Sequence, residues 1–171
     1  MQEYELDFSL LSLTANDLFA EMGYGNTQPE EPVEALAVSM LEEVSSWIVP
    51  RCTFGLFDGR IEGNTVFMTG GESFLVGATI SFLLKGSRHF ALFAATAGTA
   101  FQEYQNRLKT EDDILKSFIA DIIGTCVAEK AGDYMERLLE KELAGERHTN
   151  RLSPGYCGWH LSGQQTLFRL M

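Results

Sequence analysis

The sequence predicts an α+β fold. Three observations carry that prediction: apolar–polar alternation near the start of the chain, a hairpin-like middle, and one long amphipathic helix in the last third. The 171 residues fit a single domain spanning 1–171, long enough to bury a core of its own. Hydrophobic residues make up 45% and charged residues 22%, the balance of an ordinary globular protein.

The elements follow in order. Tyr4–Leu13 places Tyr4, Leu6, Phe8 and Leu10 on one side, a strand pattern. Thr14 or Asn16 can cap a short helix that ends around Gly23–Gly25. Pro29 and Pro32 bracket a loop, and Pro32 suits a first helical turn. Leu36, Met40, Leu41, Val44 and Trp47 then form a helical stripe, stopped by Pro50. Cys52–Phe57 and Asn64–Met68 read as a hairpin turning near Asp58–Gly59, and Gly70–Gly71 breaks the run. Gly77–Leu84 reads as a short helix closed by Lys85–Gly86. His89–Ala95 reads as a strand buried on both faces, leading through Gly98 into a helix over Ala100–Leu108.

Thr110-Glu111-Asp112-Asp113 predicts the start of a long helix running to about Leu143. Its expected apolar face is Ile114, Phe118, Ile122 and Cys126, widened by Leu115 and Ile119. Gly124 and Gly132 interrupt it, which points to close packing or to a ligand against the backbone. Asp121, Thr125, Glu129 and Asp133 share one face at three- and four-residue steps. That face is either simply solvated or functional, and Asp121 stands out because its neighbours are large and apolar.

The net charge of -11 argues against nucleic acid as a partner. The longest uncharged apolar stretches, Ser73–Leu84 and His89–Phe101, fall well short of a membrane span. The opening MQEYELD lacks the features of a signal peptide, and Cys52, Cys126 and Cys157 lack disulfide-framework spacing; a reduced, cytoplasmic protein is expected.

The stretch "RLSPGYCGWHLSGQQTLF", Arg151 to Phe168, concentrates special geometry close to the last residue. Pro154-Gly155 is a turn dipeptide, and a loop of this kind leaves backbone groups available to a ligand. Arg151 offers a planar donor fork suited to a carboxylate. Tyr156 and Trp159 offer flat faces for a base or a macrocycle. Ser162 with Gln165 forms a capping-box pattern ahead of a short last helix. A carboxylate clamp, a loop backbone and stacking faces would suit an amino-acid-bearing nucleotide; a purely structural strap fits the same residues. A hydrolase built on Ser153 or Cys157 with His160 lacks an orienting third group, and the same residues lack metal-ligand spacing.

Arg151-Leu152-Ser153-Pro154-Gly155-Tyr156 resembles the R-x-x-x-G-Y motif of the activation domain of vitamin B12-dependent methionine synthase. "LFAEMGYGN", "LFAATAGTAF" and the long helix before the motif are consistent with short stand-alone relatives of that domain. The resemblance implies a twisted antiparallel sheet with flanking helices. It implies S-adenosylmethionine as the bound cofactor and cobalamin carried by a partner, with reductive methylation as the chemistry and a flavodoxin-type electron donor acting through the complex. Arg151 would bind the methionine carboxylate, Ser153 and Gly155 would supply loop contacts, and Tyr156 would lie near ligand and corrin. Asp133, with Glu129 one turn earlier as its rival, would face the cationic sulfonium and ammonium groups. No residue would be an acid–base catalyst and none would bind a metal. The resemblance therefore implies an accessory module acting in trans on methionine synthase modules; an accessory or sensor for another corrinoid methyltransferase is the alternative.

Overall fold

The computed structural model describes residues 1–25 and 27–171, so the last residue of "LFAEMGYGN" lies outside the described residues. Among the described residues five strands and six α-helices follow one another: β1 Gln2–Glu5, α1 Ala15–Glu21, α2 Glu31–Ser45, β2 Arg51–Glu62, β3 Thr65–Met68, β4 Ser73–Leu75, α3 Ala78–Leu83, β5 His89–Thr96, α4 Thr99–Thr110, α5 Ile114–Glu142 and α6 Gly163–Leu170. The α+β prediction holds. The strands form one sheet in the order β1-β2-β3-β4, with β5 also paired to β2. β2–β3 and β3–β4 are antiparallel, and β3 pairs on both sides, Val66 lying opposite Ile61 of β2 and Phe74 of β4.

The chain divides into two compact units, and both are discontinuous in sequence. The first comprises residues 1–2, 54–93 and 140–171. Its core gathers Val66, Met68, Phe74, Val76, Ile80, Phe90, Leu92 and Trp159. Leu152, Leu167 and Leu170 from the tail pack against that cluster. The second unit comprises residues 3–53 and 94–139. Leu18, Val44, Phe101, Ile119, Ile123 and Met135 are among its fully buried side chains.

Local chemistry explains the helix starts. Thr14 and Asp17 form a reciprocal capping box at α1: the Thr14 N–H donates to Asp17 Oδ2 (2.8 Å), and the Asp17 N–H to Thr14 Oγ1 (3.4 Å). α2 carries Pro32 in its first turn and buries Met40, Leu41 and Val44 of the predicted stripe together with Ala37, while Leu36 and Trp47 are half-buried. Trp47 stacks on Phe101 at 6.4 Å and tilts against Tyr104 at 5.4 Å, joining α2 to α4.

Five expectations need correction. The opening strand ends at Glu5: Asp7 accepts from the Ser9 N–H and Ser9 hydroxyl and caps a 3-10 turn over Phe8–Leu11. The hairpin turns at Gly63-Asn64, not Asp58–Gly59, because β2 continues to Glu62. Gly59 instead lets the β3 backbone approach, since a Cβ there would sit 2.6 Å from the Phe67 carbonyl oxygen. β5 is not buried on both faces: Phe90 and Leu92 are buried while His89 is exposed and Ala91 and Phe93 are half-buried. Thr110 ends α4, and Asp113 caps α5 by accepting from the Lys116 N–H at 3.0 Å. The apolar face of α5 is right only in part: Ile119 and Cys126 of the predicted face are buried, together with Ile123, Val127, Met135 and Leu139, whereas Ile114 is 83% exposed and Phe118 is 45% exposed. Gly124 packs closely, because a Cβ would lie 2.7 Å from Phe101 Cε1.

Candidate functional site

The tail loop belongs to the first unit and closes on itself. The Tyr156 N–H donates to the Ser153 carbonyl (3.3 Å), and the Trp159 N–H to the Tyr156 carbonyl (2.9 Å). The Gly155 N–H donates to the Trp159 carbonyl (2.7 Å). Gly155 holds φ at 101°, a backbone state that side-chain-bearing residues rarely adopt, so it supplies the turn. Its amide is engaged inside the loop. The loop carbonyls that accept one bond keep a second lone pair.

Side chains divide between the core and solvent. Pro154 is buried, Arg151 and Leu152 are half-buried, and Ser153 is exposed. Tyr156 is 71% exposed and turns its ring outward. Trp159 is the correction: it is 6% exposed and stacks on Phe74 with centroids 5.8 Å apart and planes 10° apart, so its face belongs to the core rather than to a ligand. The capping box predicted at Ser162 is also absent. Ser162 accepts no capping bond; its hydroxyl is 2.8 Å from His160 Nδ1, and α6 begins regardless at Gly163.

Three supports of this loop were not legible as site residues. Phe74 is the stacking partner of Trp159. Gly77, with φ at 80°, lies so close to the loop that a Cβ would sit 2.6 Å from the Gly158 carbonyl oxygen. A Cβ at Gly163 would overlap Trp159 Nε1. The sequence signal was slight: an aromatic three residues before a glycine in "SFLVG", far from the tail.

Asp121, Glu129 and Asp133 of α5 belong to the second unit. Glu129 is exposed and Asp133 half-buried, one helical turn apart on the predicted face. Asp121 is exposed on the same face and accepts from Gln105 Nε2 at 2.8 Å, which accounts for it without a ligand. Between them in sequence, Lys130 reaches Asp17 of α1 at 2.8 Å. Burial pushes the Asp17 carboxyl up, but bonds from Lys130 and Thr14 together outweigh it and hold the group below its usual range. The structure thus brings Arg151, Ser153, Gly155 and Tyr156 together in one loop, and Glu129 and Asp133 on one face of a helix.

Nucleophile chemistry is not assembled in the tail. His160 bonds Ser162 rather than Ser153 or Cys157. Burial pushes the Cys126 thiol up to about 11 and raises Cys52 as well, while Cys157 is exposed. Among the described residues no three or more His, Cys, Asp or Glu side chains are grouped to hold a metal ion. None of the described helices is long and apolar enough to cross a membrane.

No family model matches the sequence, and no curated protein matches it. Among solved structures, the fold is similar to that in the crystal structure of the MetH reactivation domain bound to AdoHcy, with a TM-score of 0.70. The similarity covers 99% of this chain and 69% of that one at 17% sequence identity, and at that identity it is a likeness of fold.

Proposed function

We propose that this chain is an S-adenosylmethionine-binding module of the reactivation type, acting in trans on a cobalamin-dependent methionine synthase. The observation that carries the reading is the fold likeness, over 99% of the chain, to a reactivation domain whose crystal structure holds AdoHcy. The tail supports it, because Gly155 and Tyr156 of the R-x-x-x-G-Y run lie in a closed loop two residues after Arg151, with the tyrosine exposed.

The donor set suits the methionine end of such a ligand. The Arg151 guanidinium presents parallel N–H groups to a carboxylate, a charge-assisted pairing that also fixes orientation. Ser153 and Gly155 shape the turn on which the ligand rests. Asp133, or Glu129 in its place, supplies the negative charge that a sulfonium and an ammonium require. The outward face of Tyr156 suits contact with the ligand and with a corrin. Cobalamin, held by the partner, supplies the methyl-accepting cobalt, and a flavodoxin-type donor supplies the electron. This chain contributes binding and orientation, holding the methyl donor at near-attack distance; no side chain is asked to move a proton.

Calorimetric titration with S-adenosylhomocysteine tests the reading. The wild-type protein binds, and Arg151→Ala loses about 2–4 kcal/mol because the ligand carboxylate is left without its charged partner. Arg151→Lys recovers only part, for lack of the planar fork. A wild-type chain that does not bind, or a folded Arg151→Ala with unchanged affinity, would defeat the assignment. Methyl transfer to a corrinoid-loaded synthase lacking its own reactivation domain then separates methionine synthase from other corrinoid partners.

A further inference from the structure

Two of the three backbone bonds that close the loop after Arg151 run through one residue. Both backbone groups of Trp159 hold it: the N–H donates to Tyr156 and the carbonyl accepts from Gly155. The side chain of the same residue is sunk in the core of the first unit, parallel to Phe74. Whatever fixes the indole therefore fixes the loop.

Shape fixes it, not a polar bond. Trp159 Nε1 is buried with no hydrogen-bond partner among the described residues. An unpaired buried donor is unfavourable, so the ring is held by what surrounds it. Gly163, the first residue of α6, leaves just the space the indole Nε1 occupies. Gly77 lets the backbone before α3 press against the Gly158 carbonyl. Strand β4 and the α6 start thus clamp the ring, the α3 entry abuts the backbone just before it, and that ring carries the loop.

We propose that Trp159 is the positioning residue of the 153–158 loop, setting from the core side the geometry in which Arg151 and Tyr156 meet an S-adenosyl ligand. The inference rests on the function proposed above. A loop already ordered before binding does not lose that conformational freedom on association, so its gain is read as affinity. Because the ring acts by shape, phenylalanine should replace it.

Two measurements test this, both on the whole chain. Amide hydrogen exchange needs no ligand: Trp159→Ala should speed exchange over residues 155–158 and leave Thr65–Met68 protected. Calorimetry with S-adenosylhomocysteine, well below the melting temperature of each variant, should show Trp159→Ala binding at least about tenfold more weakly. Trp159→Phe should stay close to wild type in both. Gly163→Ala covers the case in which Trp159→Ala does not fold. Alanine suits a helix, so that methyl disturbs chiefly the indole, and it too should loosen the loop and weaken binding. Trp159→Ala or Gly163→Ala with native exchange and affinity overturns the proposal, as does Trp159→Phe as weak as Trp159→Ala. If the wild-type chain does not bind, the function proposed above falls, and the exchange pattern alone supports or overturns the positioning role.

Discussion

Asp17→Ala should destabilise the protein by about 2 kcal/mol at neutral pH. One carboxylate serves three donors: the Thr14 N–H at 2.8 Å, the Thr14 hydroxyl at 2.7 Å and Lys130 Nζ at 2.8 Å. Losing the Asp17 half of the capping box, and its negative charge in the first turn, removes about 1 kcal/mol. The pair with Lys130 is less exposed than a typical surface pair, at 29% and 30% for the two side chains, and adds up to about 1 kcal/mol. For 171 residues the total lowers Tm by about 4–8 °C. The pH dependence has a fixed sign. Because the folded carboxyl titrates below its reference value of 3.8, its stabilisation is complete well above that pH and is lost as pH falls through the folded pKa. Guanidinium titrations followed by circular dichroism at pH 7, 5 and 3.5 measure the difference between wild type and variant. Lys130→Met and the double variant isolate the pair, which should couple by about 0.5–1 kcal/mol. A difference under about 0.5 kcal/mol at pH 7, or one that does not narrow on acidification, would refute the reasoning.

Other consequences can be checked as directly. Asp133→Asn should reduce affinity for S-adenosylmethionine more than Glu129→Gln does, in variants with wild-type melting temperatures; the reverse order moves the contact one turn earlier on α5. Flavodoxin should not bind this chain alone at micromolar concentration and low salt, because a net charge of -11 repels an acidic donor over a Debye length of about 10 Å at 0.1 M. A complex that weakens as salt rises would contradict that. Iodoacetamide at neutral pH should modify Cys157 first, since Cys126 and Cys52 are buried with raised thiols; mass mapping that finds either of those first rejects the assignment.

Much of the fold was written locally, and so was legible. The capping threonine and the proline in the first turn of α2 act within a few residues of themselves. Errors arose where distant partners decide. Asp58–Gly59 has turn composition, yet pairing with β3 keeps it extended. The buried face of α5 depends on what packs against it: periodicity alone favoured Ile114 and Phe118, and the structure leaves both exposed, at 83% and 45%. At the site, the motif residues were visible as a run with unusual geometry. Their supports were not, because Phe74, Gly77 and Gly163 acquire meaning only once the chain has folded back on Trp159.

The interleaving of the two units bears on how this chain can be cut and how it is made. Neither unit is a contiguous piece: residues 54–93 wait for residues 140–171 before their cluster is whole. A fragment ending at Leu139 would leave Phe74, Val76 and Ile80 without Trp159 and α6, an apolar face prone to aggregation. During synthesis the same face stays uncovered while the ribosome adds the intervening helices, at about 5–20 residues per second. Chaperone dependence should therefore rise in variants weakened at the tail, even where the sheet itself is untouched.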